Sequence, residues 1–284
     1  MGALAPDWLG AARAACDELR GALAAAPTTV ERARETGTRG EGGDRTLEID
    51  AAAEAAVFRR LEALYSDGHR FAAVSEERGR IDFGFDAADP VYVVIDPLDG
   101  SRNAKRGLPH YALSLAVARG GTMADVDFGF VHDFGPGEEW VARRGSGASL
   151  NGVALDADVP ERRVRGRLEL VGIESADPRW LLDSGRSLAE VAHRLRGVGA
   201  IAVSLCQVAA GRLDGMVTLR RCRAVDVAAA QLIVREAGGR VAFTRCADPL
   251  GAPLAVLEPV SPVVAARSSE GLAELARVPA NGWR

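Results

Sequence analysis

Apolar residues recur along this chain at two different intervals, and each interval predicts an element. Over residues 7–25, Leu9, Ala12, Cys16, Leu19 and Leu23 fall three or four apart, which predicts an amphipathic helix with a charged outer face. Ala53, Val57, Leu61 and Leu64 repeat that spacing over residues 51–65, and Asp50 stands where an N-cap favoured by the helix dipole is expected. Residues 36–43, between them, are rich in glycine and charge, a mobile-loop composition. Apolar runs at residues 91–95, 112–118, 126–131 and 139–142, separated by Gly, Pro and Asp turns, predict strands in a meander or mixed sheet. Beyond Asn151 the pattern alternates: a strand at 168–173, helices at 186–195 and 200–210, and a strand at 215–219. A helix then opens at Asp226 and closes at Gly238-Gly239, followed by strands at 240–244 and 263–266. The change of character predicts an N-terminal half, residues 1–158, and a C-terminal half, residues 159–284, with a site at their junction.

One run carries candidate chemistry. Val91-Tyr92-Val93-Val94-Ile95 reads as a strand covered on both faces, which Pro97 is expected to end. Asp96 and Asp99 then turn toward one cavity, and Gly100 permits the close backbone approach that a phosphate oxygen needs. If Ser101 opens a helix, its first N–H groups favour an anion in that cavity. The plainer alternative is an Asx/Pro turn between strand and helix. Further acidic signals lie in Ser75-Glu76-Glu77 after the apolar residues 71–74, in Gly40-Glu41-Gly42-Gly43-Asp44 leading on to Asp50, and at Asp226, placed like an N-cap.

Together these segments resemble the inositol monophosphatase superfamily of magnesium-dependent phosphatases, which includes fructose-1,6-bisphosphatases, from about Asp44 to the C-terminus. Gly145-Ser146-Gly147-Ala148 with Asn151-Gly152, and Gly199-Ala200-Ile201-Ala202 leading to Asp214, extend the resemblance. It implies an α+β fold, a layered α-β-α-β-α sandwich, and two to three Mg²⁺ ions per site. Glu76, Asp96 and the Leu98 carbonyl would hold the first ion, and Asp96, Asp99 and Asp226 the second, with Asp44 at a third, weaker position. Such hard cations take oxygen ligands, and a pair of them stabilises both attacking and leaving oxygens. Mn²⁺ is expected as a substitute, with Ca²⁺ and Li⁺ as inhibitors. Further roles follow from the resemblance: Ser101, hydrogen-bonded to Asp50, activates the attacking water, and Asp226 helps water protonate the departing alkoxide. Asp99, Gly100, Ser101, Gly199 and Ala200 are placed at the substrate.

The resemblance also bears on substrate. Animal inositol monophosphatases usually carry Trp immediately before the last aspartate and a Glu several residues earlier; this chain has Val225 and Leu219. Its motifs look more like fructose-bisphosphatases and, as a whole, like the archaeal-type enzymes that act on both substrates. In the cluster Arg220, Arg221 and Arg223, Arg221 and Arg223 suit a second phosphate, although a solvated arginine run reads equally well. The expectation is a Mg²⁺-dependent phosphomonoesterase for fructose 1,6-bisphosphate, inositol 1-phosphate or both. A 3′-nucleotide phosphatase or another small-molecule phosphatase of the superfamily is the alternative within enzymes, and a metal-binding or regulatory relative without turnover the alternative outside them.

Composition narrows the remaining classes. With 284 residues, 48% of them hydrophobic, the chain can bury a large core. A net charge of −4 leaves no basic face for nucleic acid. No membrane-length apolar run and no signal-peptide pattern occur, so a cytoplasmic protein with no membrane partner is expected, acting as a homodimer or higher homo-oligomer. Cys16, Cys206, Cys222 and Cys246 are scattered and read as reduced thiols. The absence of a Gly-rich loop with Lys-Ser/Thr disfavours a kinase-like binder. The four histidines show no metal spacing, His110 reads as structural, Asn103 as a loop anchor, and Glu77 as a surface residue or one behind the ligands.

Overall fold

A computed structural model describes residues 6–41 and 45–278; Asp44, the candidate third-metal residue, lies outside them. Two sheets form the frame. In the first the strands run in the order Val153–Ala154, Ala148–Leu150, Glu138–Arg143, Val126–Asp133, Ala112–Ala118, Tyr92–Asp99, Phe71–Ser75, Gly79–Phe83. In the second the order is Arg163–Val164, Arg167–Glu174, Gly215–Thr218, Val263–Ala266, Arg240–Phe243, with Ala192–Arg196 also paired to Arg167–Glu174.

Period-two alternation sorts the strand residues into layers. On the first sheet Val93, Ile95, Leu113 and Leu115 pack with Trp8, Ala12, Phe58 and Leu61 of the helices Trp8–Ala25 and Glu48–Ser66. Their neighbours Val94, Ala112 and Ala116 face the other way, onto the helices Ile201–Ala209 and Ala224–Glu236. Met216, Val263 and Ala265 of the second sheet close over the same two helices. Val217, Val264 and Ala266 point outward to Leu188 and Leu275 of the helices Pro178–Val191 and Ser269–Leu275. The result is helix, sheet, helix, sheet, helix. Ala224–Glu236 is buried on every side as far as Val234 because it lies between two sheets. Gly129 admits it closely: a Cβ there would stand 2.6 Å from the Ala229 carbonyl oxygen.

Several elements depart from the sequence pattern. Residues 186–195 do not form one helix; a helix ends at Val191 and the chain runs straight into the strand Ala192–Arg196. Pro97 does not end its strand, which continues to Asp99 across a register shift between Asp96 and Asp99. Neither Asp50 nor Asp226 is an N-cap: each is the third residue of its helix, where its carboxylate accepts the N–H of Leu47 at 3.0 Å or of Arg223 at 2.9 Å. The predicted loop begins as a strand instead: Glu35–Arg39, exposed along its length, pairs antiparallel with Arg45–Leu47. Among the described residues no helix is long and apolar enough to cross a membrane.

Candidate active site

Three loop and element ends meet at a cavity of about 1160 Å³ between the two sheets. The first parallel pair, Phe71–Ser75 beside Tyr92–Asp99, delivers Glu76 and Asp96 from adjacent strand ends. The central helix delivers Asp226 from its first turn, across 130 residues of sequence from Asp96. One carboxylate oxygen from each of Glu76, Asp96 and Asp226 lies within 4.8 Å of the other two. Asp50, Leu98, Asp99, Gly100, Ser101, Gly199, Arg221 and Arg223 line the same cavity.

Asp99 is turned differently from the cluster. Its oxygens accept the backbone N–H groups of Ile201 at 3.2 Å and Ala202 at 2.7 Å, so it caps the helix Ile201–Ala209 while lining the cavity. Gly100 has φ +80°, and a Cβ there would meet the His110 carbonyl oxygen at 2.8 Å and the Ala200 Cβ at 3.0 Å. Only glycine fits this turn, which holds Ala200, itself 1% exposed, against the strand end. Asn103 does anchor the loop: its Nδ2 donates to the carbonyls of His110 and Val198, each at 2.9 Å.

Packing so much negative charge in a dry place has an electrostatic consequence. Burial, reinforced by Glu76, Asp99 and Asp226, raises the Asp96 carboxyl well above the usual carboxylate range. Asp99 is raised in the same direction by burial and Asp226. Glu76 is pushed up to about 7 by burial and by Asp226 and Glu77, against the pull of Arg223. Asp50, also raised by burial, to about 7, has its Oδ1 buried with no hydrogen-bond partner. The expected Asp50–Ser101 hydrogen bond is therefore not made; Ser101 lines the cavity separately.

Arg223 is not a free arm for a second phosphate. Its guanidinium contacts Glu76 Oε1 at 2.6 Å and Asp226 Oδ1 at 3.2 Å, where it neutralises part of the cluster. Burial opposes its charge, but Asp226, Glu76 and Asp96 outweigh that and raise its pKa. Arg221 is exposed at the cavity, while Arg220 lies over the Trp180 ring at 4.9 Å.

Glu174 has no place in the sequence reading. It ends the strand Arg167–Glu174, is 3% exposed, and accepts the N–H groups of Val198 and Gly199 and the Ser204 hydroxyl, fixing a loop that lines the cavity. The signal was present: an acid directly after the apolar Val171-Gly172-Ile173, as Asp96 comes directly after Val93-Val94-Ile95.

Comparison with known proteins identifies the family. The model of the inositol monophosphatase family matches residues 8–278. A fructose-1,6-bisphosphatase/inositol-1-monophosphatase of Thermococcus kodakarensis is 38% identical over 206 residues, 72% of this chain and 71% of that protein. A Haemophilus influenzae protein named Nus factor SuhB is 34% identical over 225 residues, 76% of this chain and 80% of its own. A solved structure from Pyrococcus horikoshii, described as similar to inositol-1 monophosphatase, superimposes with a TM-score of 0.73 at 26% identity, covering 95% of this chain and 97% of that one. The family match runs through both sheets and all three clustered carboxylates, and on it the chain belongs to the inositol monophosphatase family of phosphatases.

Proposed function

We propose that the protein is a Mg²⁺-dependent phosphomonoesterase of small sugar and polyol phosphates, with fructose 1,6-bisphosphate and inositol 1-phosphate as substrates. The observation that carries this reading is the meeting of Glu76, Asp96 and Asp226 from three separate elements, with ligand atoms within 4.8 Å of one another. Within this cluster Glu76 and Asp96, both driven toward protonation, fit a hard divalent cation, whose charge would restore their ionised forms, acidify water and neutralise phosphoryl oxygens. To take, through the Ser101 hydroxyl, the proton that the attacking water releases, the unpartnered Asp50 oxygen would have to close on Ser101 in the metal-bound site, a contact not made here. Asp226 would orient the water that returns a proton to the leaving alkoxide. Gly100 and Gly199, which line the cavity, would border the substrate, while Ala200 is buried behind them.

The bisphosphate preference rests on what is missing from the polyol side. Leu219 and Val225 are 0% and 1% exposed, so neither side chain reaches a substrate hydroxyl. With Arg223 held by the carboxylates, Arg221 is left to meet a distal phosphate. Measuring phosphate release from fructose 1,6-bisphosphate, inositol 1-phosphate and a 3′-phosphoadenosine nucleotide, with and without magnesium, tests the proposal. The bisphosphate is expected to be hydrolysed at least as efficiently as inositol 1-phosphate. No release from any of the three would favour a role without turnover, a reading that the Nus factor name of the Haemophilus relative also supports.

A further inference from the structure

The reaction proposed for this cavity makes no use of His110, yet the fold holds that residue in an unusual way. Its φ is +70°, a left-handed conformation that a side chain beyond Cβ adopts at a cost. Such strain persists where the surroundings over-determine it, and here they do. The His110 carbonyl accepts from Asn103 Nδ2 at 2.9 Å, and the ring Nδ1 lies 2.7 Å from Asp133 Oδ2. Asp133 is fully buried at the end of the strand Val126–Asp133, and its other oxygen accepts the Gly135 N–H at 3.1 Å.

An ionised carboxylate only accepts, so the Nδ1 atom carries a proton, and in the singly protonated ring Nε2 is a lone-pair acceptor. Nδ1 faces the buried aspartate, which leaves Nε2 on the opposite side of the ring, and no described residue hydrogen-bonds it. The side chain is 34% exposed and lines the cavity beside Gly100, Glu174 and Gly199, across the glycine turn from Asp99. An acceptor oriented by a buried aspartate, on a residue that lines a phosphate-ester site, suits an alcohol.

We propose that His110 is a substrate-contact residue whose Nε2 accepts a hydrogen bond from a hydroxyl of the sugar or polyol, with Asp133 as its positioning residue. The site thereby distinguishes hydroxyl-bearing phosphate esters from esters of the same charge that lack hydroxyls. This rests on the cavity being a phosphatase site.

His110→Asn is the informative variant: asparagine tolerates positive φ and keeps an amide where Nδ1 met Asp133, but has no counterpart of Nε2. Steady-state kinetics with magnesium would compare inositol 1-phosphate with p-nitrophenyl phosphate, which has no hydroxyl. KM for inositol 1-phosphate is expected to rise roughly three- to tenfold, the range of one neutral hydrogen bond, with p-nitrophenyl phosphate unchanged. Asp133→Asn should move the same ratio in the same direction. An equal change on both substrates, or none on either, overturns the proposal and leaves the pair as scaffolding. Calorimetric binding of inositol 1-phosphate and of inorganic phosphate, with calcium present, judges His110 without turnover. Weakened binding of the polyol ester alone supports it, and equal weakening or none overturns it. Unmutated protein that binds both ligands but hydrolyses neither ester would overturn the phosphatase reading instead, and binding neither ligand would overturn both.

Discussion

Two side chains beside the cluster separate chemistry from folding. Asp99→Asn keeps volume and one acceptor for the Ile201 and Ala202 N–H groups, so folding should survive with a loss of about 1 kcal/mol. Turnover should nevertheless disappear at saturating magnesium, and a fully active Asp99→Asn enzyme would contradict the site. Arg223→Met should act chiefly on stability. Glu76 and Asp226 would lose a partner that is only 18% exposed, at a cost of about 2–4 kcal/mol and several degrees of Tm. Added magnesium should then raise Tm more in the variant than in the unmutated protein, a difference that thermal unfolding with and without the ion measures. Away from the site, His132 is 3% exposed, its Nε2 is 2.9 Å from the Arg20 guanidinium, and burial first and Arg20 second push its pKa down to about 4. Because the folded value is the lower one, the unfolded chain takes up the proton first. Stability is complete above about pH 6.5 and falls by up to about 3 kcal/mol as pH drops toward 4. Denaturant melts of His132→Gln should flatten that dependence.

At the scale of elements, what was legible in the sequence was what a local period or a short motif encodes. The strand Ala112–Ala118 and the helix Trp8–Ala25 lie where their patterns put them, because each buries a face that its own residues define. Glu76 and Asp96 were legible because each comes just after a short apolar run that reads as a strand, and Asp226 because it stands at the start of an apolar helical run. Tertiary context hid the rest. Residues 186–195 have helical spacing, but the backbone of Ala192–Arg196 pairs in parallel with Arg167–Glu174, and sheet pairing overrides propensity there. The His110–Asp133 pair joins residues 23 apart that share no motif, and Arg223 reads as a phosphate ligand until its distance to Glu76 is known. Gly129 shows the same limit: nothing local marks it, yet it is where a helix and a strand nearly touch. Gly129→Ala should cost about 2–3 kcal/mol through the clash with the Ala229 carbonyl, read as a lower denaturation midpoint with little change in m-value.

Across the whole molecule, the two sheets share one set of helices, so neither half owns its core. Val94 and Val131 from the first sheet and Met216 and Phe243 from the second belong to the same buried cluster as Ala228, Ala229 and Leu232. Residues 1–158 expressed alone are therefore expected to expose one face of their sheet and to associate, which sedimentation would reveal, while the full chain unfolds in a single cooperative step. That dependence also has a history within each round of synthesis. The first sheet is complete in sequence by Ala154, but the helix that covers its inner face ends only at Glu236. At a ribosomal pace of about 5–20 residues per second, that apolar face waits roughly 4–16 s for its cover, and the newborn chain passes through an interval in which it is most in need of a chaperone.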